Sequence, residues 1–263
     1  MASNEKQIID RYTNSYREEL RASRSRAGGL EFYYTEKILR EYVTPRSSVI
    51  ELGCGAGYYG LFLADKCASY HGVDITPANI AVFQQKIDER QLANVTASVG
   101  DATDLSRTAN ERYDVVLVFG PLYHLPAPER EVVFRESRRI CKAGGLILCA
   151  YFNKIGAYVS ACAARPEKYP NNAANDALLV HGVSDDTPEI HFFTMPEEIE
   201  VTARRHGLRV LKNVGVDFLS ESGLLDKMTD EQFDSWLAIA DYMHNSRSCA
   251  GFSPHAVLVC RRE

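Results

Sequence analysis

The chain has 263 residues, 45% of them hydrophobic, and a formal net charge of −5, which is long and apolar enough for a substantial core. The acidic balance, with no basic stripe beyond scattered arginines at 17–26 and the C-terminal "RRE", excludes an ordinary nucleic-acid partner. No apolar run reaches the ~20 residues of a membrane span, "MASNEKQIIDRY" lacks the core of a signal peptide, and seven Cys without a C-x-x-C pair exclude a zinc ribbon and a disulfide framework. A cytoplasmic protein with reduced, mostly buried thiols is expected.

Ile9, Tyr12, Tyr16 and Leu20 fall at helical spacing, so 5–26 is predicted as one amphipathic helix or two. "GLEFYYTEKILREYV" (29–43) reads as another, broken by Pro45. An alternation follows. "SVIEL" (48–52) is a buried strand, and "GAGYYGLFLADKC" starts with glycines and continues as a helix. "SYHGVDI" (69–75) is a strand, and Thr76-Pro77 starts a helix that runs to about Glu89 with Ile80, Phe83 and Ile87 inward. "VTASVGD" (95–101) and "YDVVLVFG" (113–120) are further strands. "APEREVVFRESRRICKAGG" is predicted as a helix stopping at Gly144-Gly145, before the strand "LILCAYF" (146–152).

After 152 the rhythm changes. Residues 153–186 hold a possible helix and an Asn-rich loop. "TMPEEIEVTARRHG" is a helix with Thr194 and Glu197 as its capping box and Gly207 at its end. "LRVLKNVGVDFL" (208–219) is a strand, and "TDEQFDSWLAIADYMHNS" (229–246) is an amphipathic helix opened by a Thr229/Gln232 capping box. "SPHAVLVCRR" (253–262) is the last strand. Strands that are apolar on both faces and alternate with helices indicate an α/β protein with a parallel, doubly wound sheet. The expected organisation is one domain over 1–263: a core at 45–152, a helical lid at 1–43, and insertions at 153–190 and 219–250 covering the ligand crevice.

"VIELGCGAGYYG" puts Gly53, Gly55, Gly57 and Gly60 between a strand and a helix. Glycines there let the backbone approach a ligand, and the helix N-terminus offers free N–H groups. Residues 55–60 even satisfy the dinucleotide pattern G-x-G-x-x-G. The register speaks against it: the glycine that follows the strand is Gly53, and Gly53-x-Gly55 leads to Tyr58 where the third glycine belongs. A nicotinamide-dependent enzyme remains a competing reading.

The string E-L-G-C-G-A-G instead resembles motif I of the class I S-adenosylmethionine-dependent methyltransferases. Asp74 at the end of the second strand is placed to accept two ribose hydroxyls. Asp101 and Ala102, in "VGDATDL", resemble the family's adenine contact. "KAGG" before "LILCAY" resembles its turn before the fifth strand. The plainer alternative for each Asp is turn chemistry; the ordered set is harder to explain that way. The resemblance covers roughly 45–152. It implies a seven-stranded Rossmann-like sheet with the last strand antiparallel, the cofactor S-adenosyl-L-methionine, and a cofactor-binding set of Glu51, Gly53, Cys54, Gly55, Gly57, Asp74, Ile75, Asp101, Ala102, Phe119 and Gly120. Tyr16 and Arg24 match the pair that closes over the cofactor in relatives with this N-terminal helix, Tyr12 and Arg21 being alternatives.

"FGPLYHL" resembles a branch of bacterial small-molecule methyltransferases carrying that string. Adenine-modifying relatives have Asn- or Asp-Pro-Pro-Tyr at this place, and Gly120-Pro121-Leu122-Tyr123 lacks the group that grips an amino nitrogen. His124 is the candidate base, since an imidazole titrates near neutrality, and Tyr123 is placed to face the sulfonium. The alternative is that both only shape the pocket and cap the next helix. His191 and Phe192 are candidate substrate contacts; His255 reads better as a core or interface histidine. No metal is expected, because the carboxylates and Asn that metal-dependent relatives carry after this strand are missing.

The function expected is methyl transfer to an O or N nucleophile of a small molecule. The alternatives are a protein or RNA methyltransferase, or a protein that binds the cofactor without transfer. The oligomeric state is left open, a homodimer through the Trp236 helix being one arrangement.

Overall fold

The structure is a computed structural model that describes residues 4–15, 25–164, 166–168, 172–184, 186–218 and 223–263. Two helices lead in, α1 (Glu5–Asn14) and α2 (Arg26–Tyr42). The alternating core follows: β1 (Ser48–Leu52), α3 (Tyr58–Leu63), β2 (Ser69–Asp74), α4 (Pro77–Glu89), β3 (Val95–Val99), β4 (Tyr113–Val118), the single turn α5 (Pro121–His124), α6 (Ala127–Ile140) and β5 (Cys141–Asn153). Then come α7 (Lys154–Ala164), the one-turn α8 (Asn172–Asn175), the two-residue β6 (Phe193–Thr194), α9 (Pro196–Arg205), β7 (Leu208–Gly215), α10 (Asp230–His244) and β8 (His255–Arg262). None of the described helices is long and apolar enough to cross a membrane.

The strands lie in the order β3-β2-β1-β4-β5-β8-β7. Neighbours from β3 to β5 are parallel, and β8 runs antiparallel to both β5 and β7. This is the doubly wound, Rossmann-like arrangement with the last strand reversed. One element was not foreseen: β6 adds to the sheet as an eighth strand, pairing with Phe152 and Asn153 of β5.

Side chains alternate between the two faces of each strand. Val49, Val115, Leu117, Leu148, Val257 and Val259 join one core cluster with α2, α4 and α10. Ile50, Val116, Val118, Ile147, Leu258 and Cys260 join the other with α6 and α9. Both faces are covered, which is why these strands read as unbroken apolar runs.

Two local predictions need correction. The helix expected through Gly144-Gly145 ends at Ile140, and β5 begins at Cys141; a register shift against β4 then skips 142–145, where Gly144 turns with a φ of +72°, and the regular pairing runs from Leu146. The capping box of α9 sits one residue later than expected. Pro196 occupies the first helical position, Met195 is the N-cap, and Glu198 accepts from its N–H at 3.0 Å, while Thr194 donates to the same carboxylate. The Thr229/Gln232 box of α10 stands as predicted. Of the seven thiols, Cys54, Cys67, Cys141, Cys149 and Cys260 are buried, and Cys162 and Cys249 are half-buried.

Candidate active site

β1, β2 and β4 end at one edge of the sheet, and the loop after β1 must turn there into α3 between packed side chains. Gly53 and Gly57 make the turn with φ of +81° and +83°. A Cβ on Gly53 would stand 2.6 Å from Pro121 Cδ, and one on Gly57 would overlap the Phe83 ring at 1.9 Å. These positions therefore require glycine for conformation and for space.

The loop is tied to the end of β2 by Asp74. One carboxylate oxygen accepts from the Gly55 N–H at 2.9 Å; the other accepts from the Thr76 N–H at 2.8 Å and the Asn79 amide at 3.4 Å. Burial pushes the Asp74 carboxyl up, and the N–H donors of Thr76 and Gly55 pull against it. Glu51, buried within β1, accepts a short hydrogen bond from the Tyr70 hydroxyl. The Cys54 thiol is pushed well up, first by burial and then by the charges of Asp74 and Glu51. Lys86 of α4 reaches across to the Ala56 carbonyl at 3.0 Å. Asp101 holds its own turn, accepting from the Thr103 N–H at 2.8 Å.

These groups surround one cavity of about 470 Å³. Of the residues expected at the site, Glu51, Gly53, Cys54, Gly55, Asp74, Ile75, Asp101, Ala102, Phe119, Gly120, Tyr123 and His124 all line it. Gly57 does not; it caps α3 from behind. His191 and Phe192 do not line it either. They sit behind the Tyr123–His124 turn, where the Phe192 N–H donates to the Tyr123 carbonyl at 2.8 Å and the His191 ring lies 5.6 Å from that of His124. Burial, with help from the charge of Arg11, lowers His191 to about 4. Tyr16, Arg24 and Arg21 lie outside the described residues.

Tyr12, the alternative to Tyr16, lines the cavity, and its hydroxyl is 2.9 Å from His124 Nε2. His124 Nδ1 is 2.8 Å from the Ile190 carbonyl. The Asn4 amide donates to the carbonyls of His124, at 2.6 Å, and Glu189, at 2.5 Å. No described residue of 153–190 or 219–250 lines the cavity; α1 and α2 cover it instead, through Ile8, Tyr12, Glu31 and Phe32. Helix α10 packs on α2, where Asp241 meets Lys37 at 2.8 Å and the Tyr34 hydroxyl at 2.9 Å.

Sequence reasoning missed Glu31, Phe32, Tyr59 and Lys86 as cavity residues. Their helical spacing shows only which side of a helix is apolar, not what that side meets. His255 is half-buried, with Nδ1 2.5 Å from Asp217 and its ring edge-on to Tyr123 and Phe152.

Comparison with known proteins agrees with this geometry. Residues 49–145 match a family model described as a methyltransferase domain. A ubiquinone biosynthesis O-methyltransferase of Coxiella burnetii is 27% identical over 184 residues, 69% of this chain and 72% of that protein. Among solved structures, an S-adenosylmethionine-dependent methyltransferase from Mesorhizobium loti superposes with a TM-score of 0.57 at 12% identity, covering 90% of this chain and 100% of that one. The [4+2]-cyclase SpnF superposes at 0.58 with 18% identity, over 88% of this chain and 80% of that one. Such likenesses speak for the fold alone, and the cyclase shows that one fold serves different chemistries. Together with the matched family model, the chain carries an S-adenosylmethionine-dependent methyltransferase domain of Rossmann-like fold.

Proposed function

We propose that this chain transfers the methyl group of S-adenosylmethionine to an O or N nucleophile of a small molecule. The observation that carries the reading is convergence: Glu51, Asp74 and Asp101, far apart in sequence, line the same cavity as Tyr123 and His124. The cofactor suits this wall. It is rich in hydrogen-bond donors and positive charge, and the wall supplies the carboxylates Glu31, Glu51, Asp74 and Asp101 between the rings of Phe32, Tyr59 and Phe119.

In this reading Asp74 accepts the ribose hydroxyls, Asp101 and Ala102 receive the adenine edge, and the loop from Gly53 to Gly55 lies against the amino-acid end. Cys54, Ile75, Phe119 and Gly120 fill the surface between them. Bound S-adenosylmethionine supplies an electrophilic methyl group on a sulfonium. The protein's part is to align the acceptor, exclude water and receive its proton. Tyr123, with Phe152 stacked on it at 4.3 Å, forms the wall beside the acceptor. His124 is the base. The Coxiella burnetii relative, an O-methyltransferase by name, favours an oxygen acceptor.

Calorimetry with S-adenosylhomocysteine and with NAD tests the cofactor site. Binding of the former alone is expected, and tight NAD binding would overturn the reading. Incubation with labelled S-adenosylmethionine and a metabolite extract tests the acceptor class: label in small molecules is expected, and label only in protein or RNA would refute it.

A further inference from the structure

We infer a second ligand site: a cleft at the end of the sheet opposite the cofactor cavity binds a small, hydrophilic phosphoanion. The inference does not depend on the transferase reading.

The strands set the place. Asn110 and Glu111 precede β4, and the cofactor cavity begins just past the other end of that strand, at Phe119. Arg262 closes β8, whose other end, His255, pairs with Phe152. With the C-terminal half of α6 and the end of α9, Asn110, Glu111 and Arg262 enclose a cleft of about 720 Å³. Ten residues line it, and five of them are arginines, in a chain of net charge −5.

These charges do not cancel among themselves. Arg139 takes Glu136 at 2.7 Å, and Arg262 takes Glu111 at 2.7 Å. Glu131 of α6 holds Arg205 at 2.7 Å and His206 at 2.6 Å. Arg135, which is exposed, and Arg138, which is half-buried, form no hydrogen bond or ion pair with any described residue. They stand three residues apart on one face of α6, where like charges repel. An anion between them turns that repulsion into attraction.

Basic residues in the last turn of a helix also meet its carbonyl end, and Arg138 and Arg139 of α6 and Arg204 and Arg205 of α9 are so placed. Arg135 and Arg262 stand outside those turns, so the helix ends do not account for the cluster.

The charge and shape of the cleft select the ligand. Two unpaired guanidiniums call for two negative charges. A carboxylate carries one, on a planar pair of oxygens that a single fork uses up, as Arg139 does with both oxygens of Glu136. A phosphoryl group carries about −1.5 to −2 on three oxygens, so two forks can share it. Among the described residues no hydrophobic side chain lines the cleft. A nucleobase or an acyl tail would therefore gain nothing there, and the body of the ligand must be hydrophilic as well, as in pyrophosphate or a sugar phosphate.

Two-dimensional NMR of the full chain titrated with pyrophosphate reads the location. The amide resonances of Asn110, Glu111 and Gly207 are expected to move while those of Gly53 to Gly57 stay in place. Movement confined to the Gly53–Gly57 loop, or none at millimolar pyrophosphate, would overturn the inference. Calorimetry at low salt gives the second readout. A Kd below about 1 mM is expected, weakened roughly tenfold or more in the double variant Arg135→Gln/Arg138→Gln. Lys6→Gln, which removes an exposed cation of α1, should leave it unchanged. An unaltered Kd in the double variant, or an equal loss in Lys6→Gln, would refute the site. Citrate bound as tightly as pyrophosphate would overturn the phosphoryl assignment, and a short RNA bound more tightly would give this face to a nucleic acid instead. If the double variant fails to fold, the single substitution of exposed Arg135 and the wild-type NMR map decide.

Discussion

At the scale of single residues, space at the loop after β1 is the tightest constraint. Gly57 combines a left-handed backbone with a Cβ direction that runs into the Phe83 ring, itself fully buried among Tyr70 and Ile80. Gly57→Ala must strain the backbone and move a core ring, so a loss of about 2–4 kcal/mol is expected. Thermal melting should show a fall on the order of 5–15 °C. His191 gives a second prediction at this scale. The ordinary imidazole value is near 6.5, and in the folded chain it is lowered to about 4. Between those values the unfolded chain takes up a proton that the folded chain refuses. The stability tied to this site is therefore fully present above about 6.5 and is lost as pH falls toward 4. His191→Gln should lose less thermal stability between pH 7 and pH 5 than the wild type does. An equal loss would mean that this group does not drive the acid dependence.

At the scale of elements, α1 lies over the His124 turn. Of its own residues only Ile8 is buried; Asn4 and Tyr12 fasten its two ends to the His124 turn. Asn4→Ala should raise amide exchange across Glu5–Asn14 and leave the sheet strands at their wild-type rates. Uniform destabilisation of the whole chain would contradict this picture. Helix α10 has a self-contained start, where the Thr229 hydroxyl accepts from the Gln232 N–H at 3.2 Å and Gln232 reaches back to the Thr229 N–H at 2.9 Å. Thr229→Ala is expected to cost about 1 kcal/mol, read as a small drop in melting temperature. This difference in locality governs what could be read from the chain alone. A capping box spans four residues, so Thr229 and Gln232 announce α10. The Tyr12–His124 contact spans the chain from α1 to α5, and no spacing records it. "KAGG" carries turn residues and turns where they say, Gly144 having a φ of +72°, and the pairings of β5 with β4 and β8 skip 142–145 and run from Leu146. β6 is too short to show a period of two.

At the scale of the whole molecule, the sheet was legible because both its faces are buried. Val49 and Ile50, or Val115 and Val116, are neighbours in sequence that serve opposite cores. The strand ends were legible too, because Glu51, Asp74 and Asp101 are polar residues where an apolar run stops. Over the cavity lie α1 and α2, within the stretch read as a lid at 1–43, whereas none of the described residues of 153–190 and 219–250, read as covering insertions, lines it.

Burial of five thiols among seven turns the cysteines into a built-in gauge of integrity. Under native conditions a maleimide should label two equivalents quickly, at Cys162 and Cys249. The other five are shielded by packing, and burial raises each of their pKa values, so little thiolate is present to react. They should become available together when denaturant opens both cores. Counting adducts by intact-mass spectrometry across a urea series would then follow cooperative loss of structure without any added reporter. A graded increase from two to seven adducts, in place of one step, would show that the two faces of the sheet come apart separately.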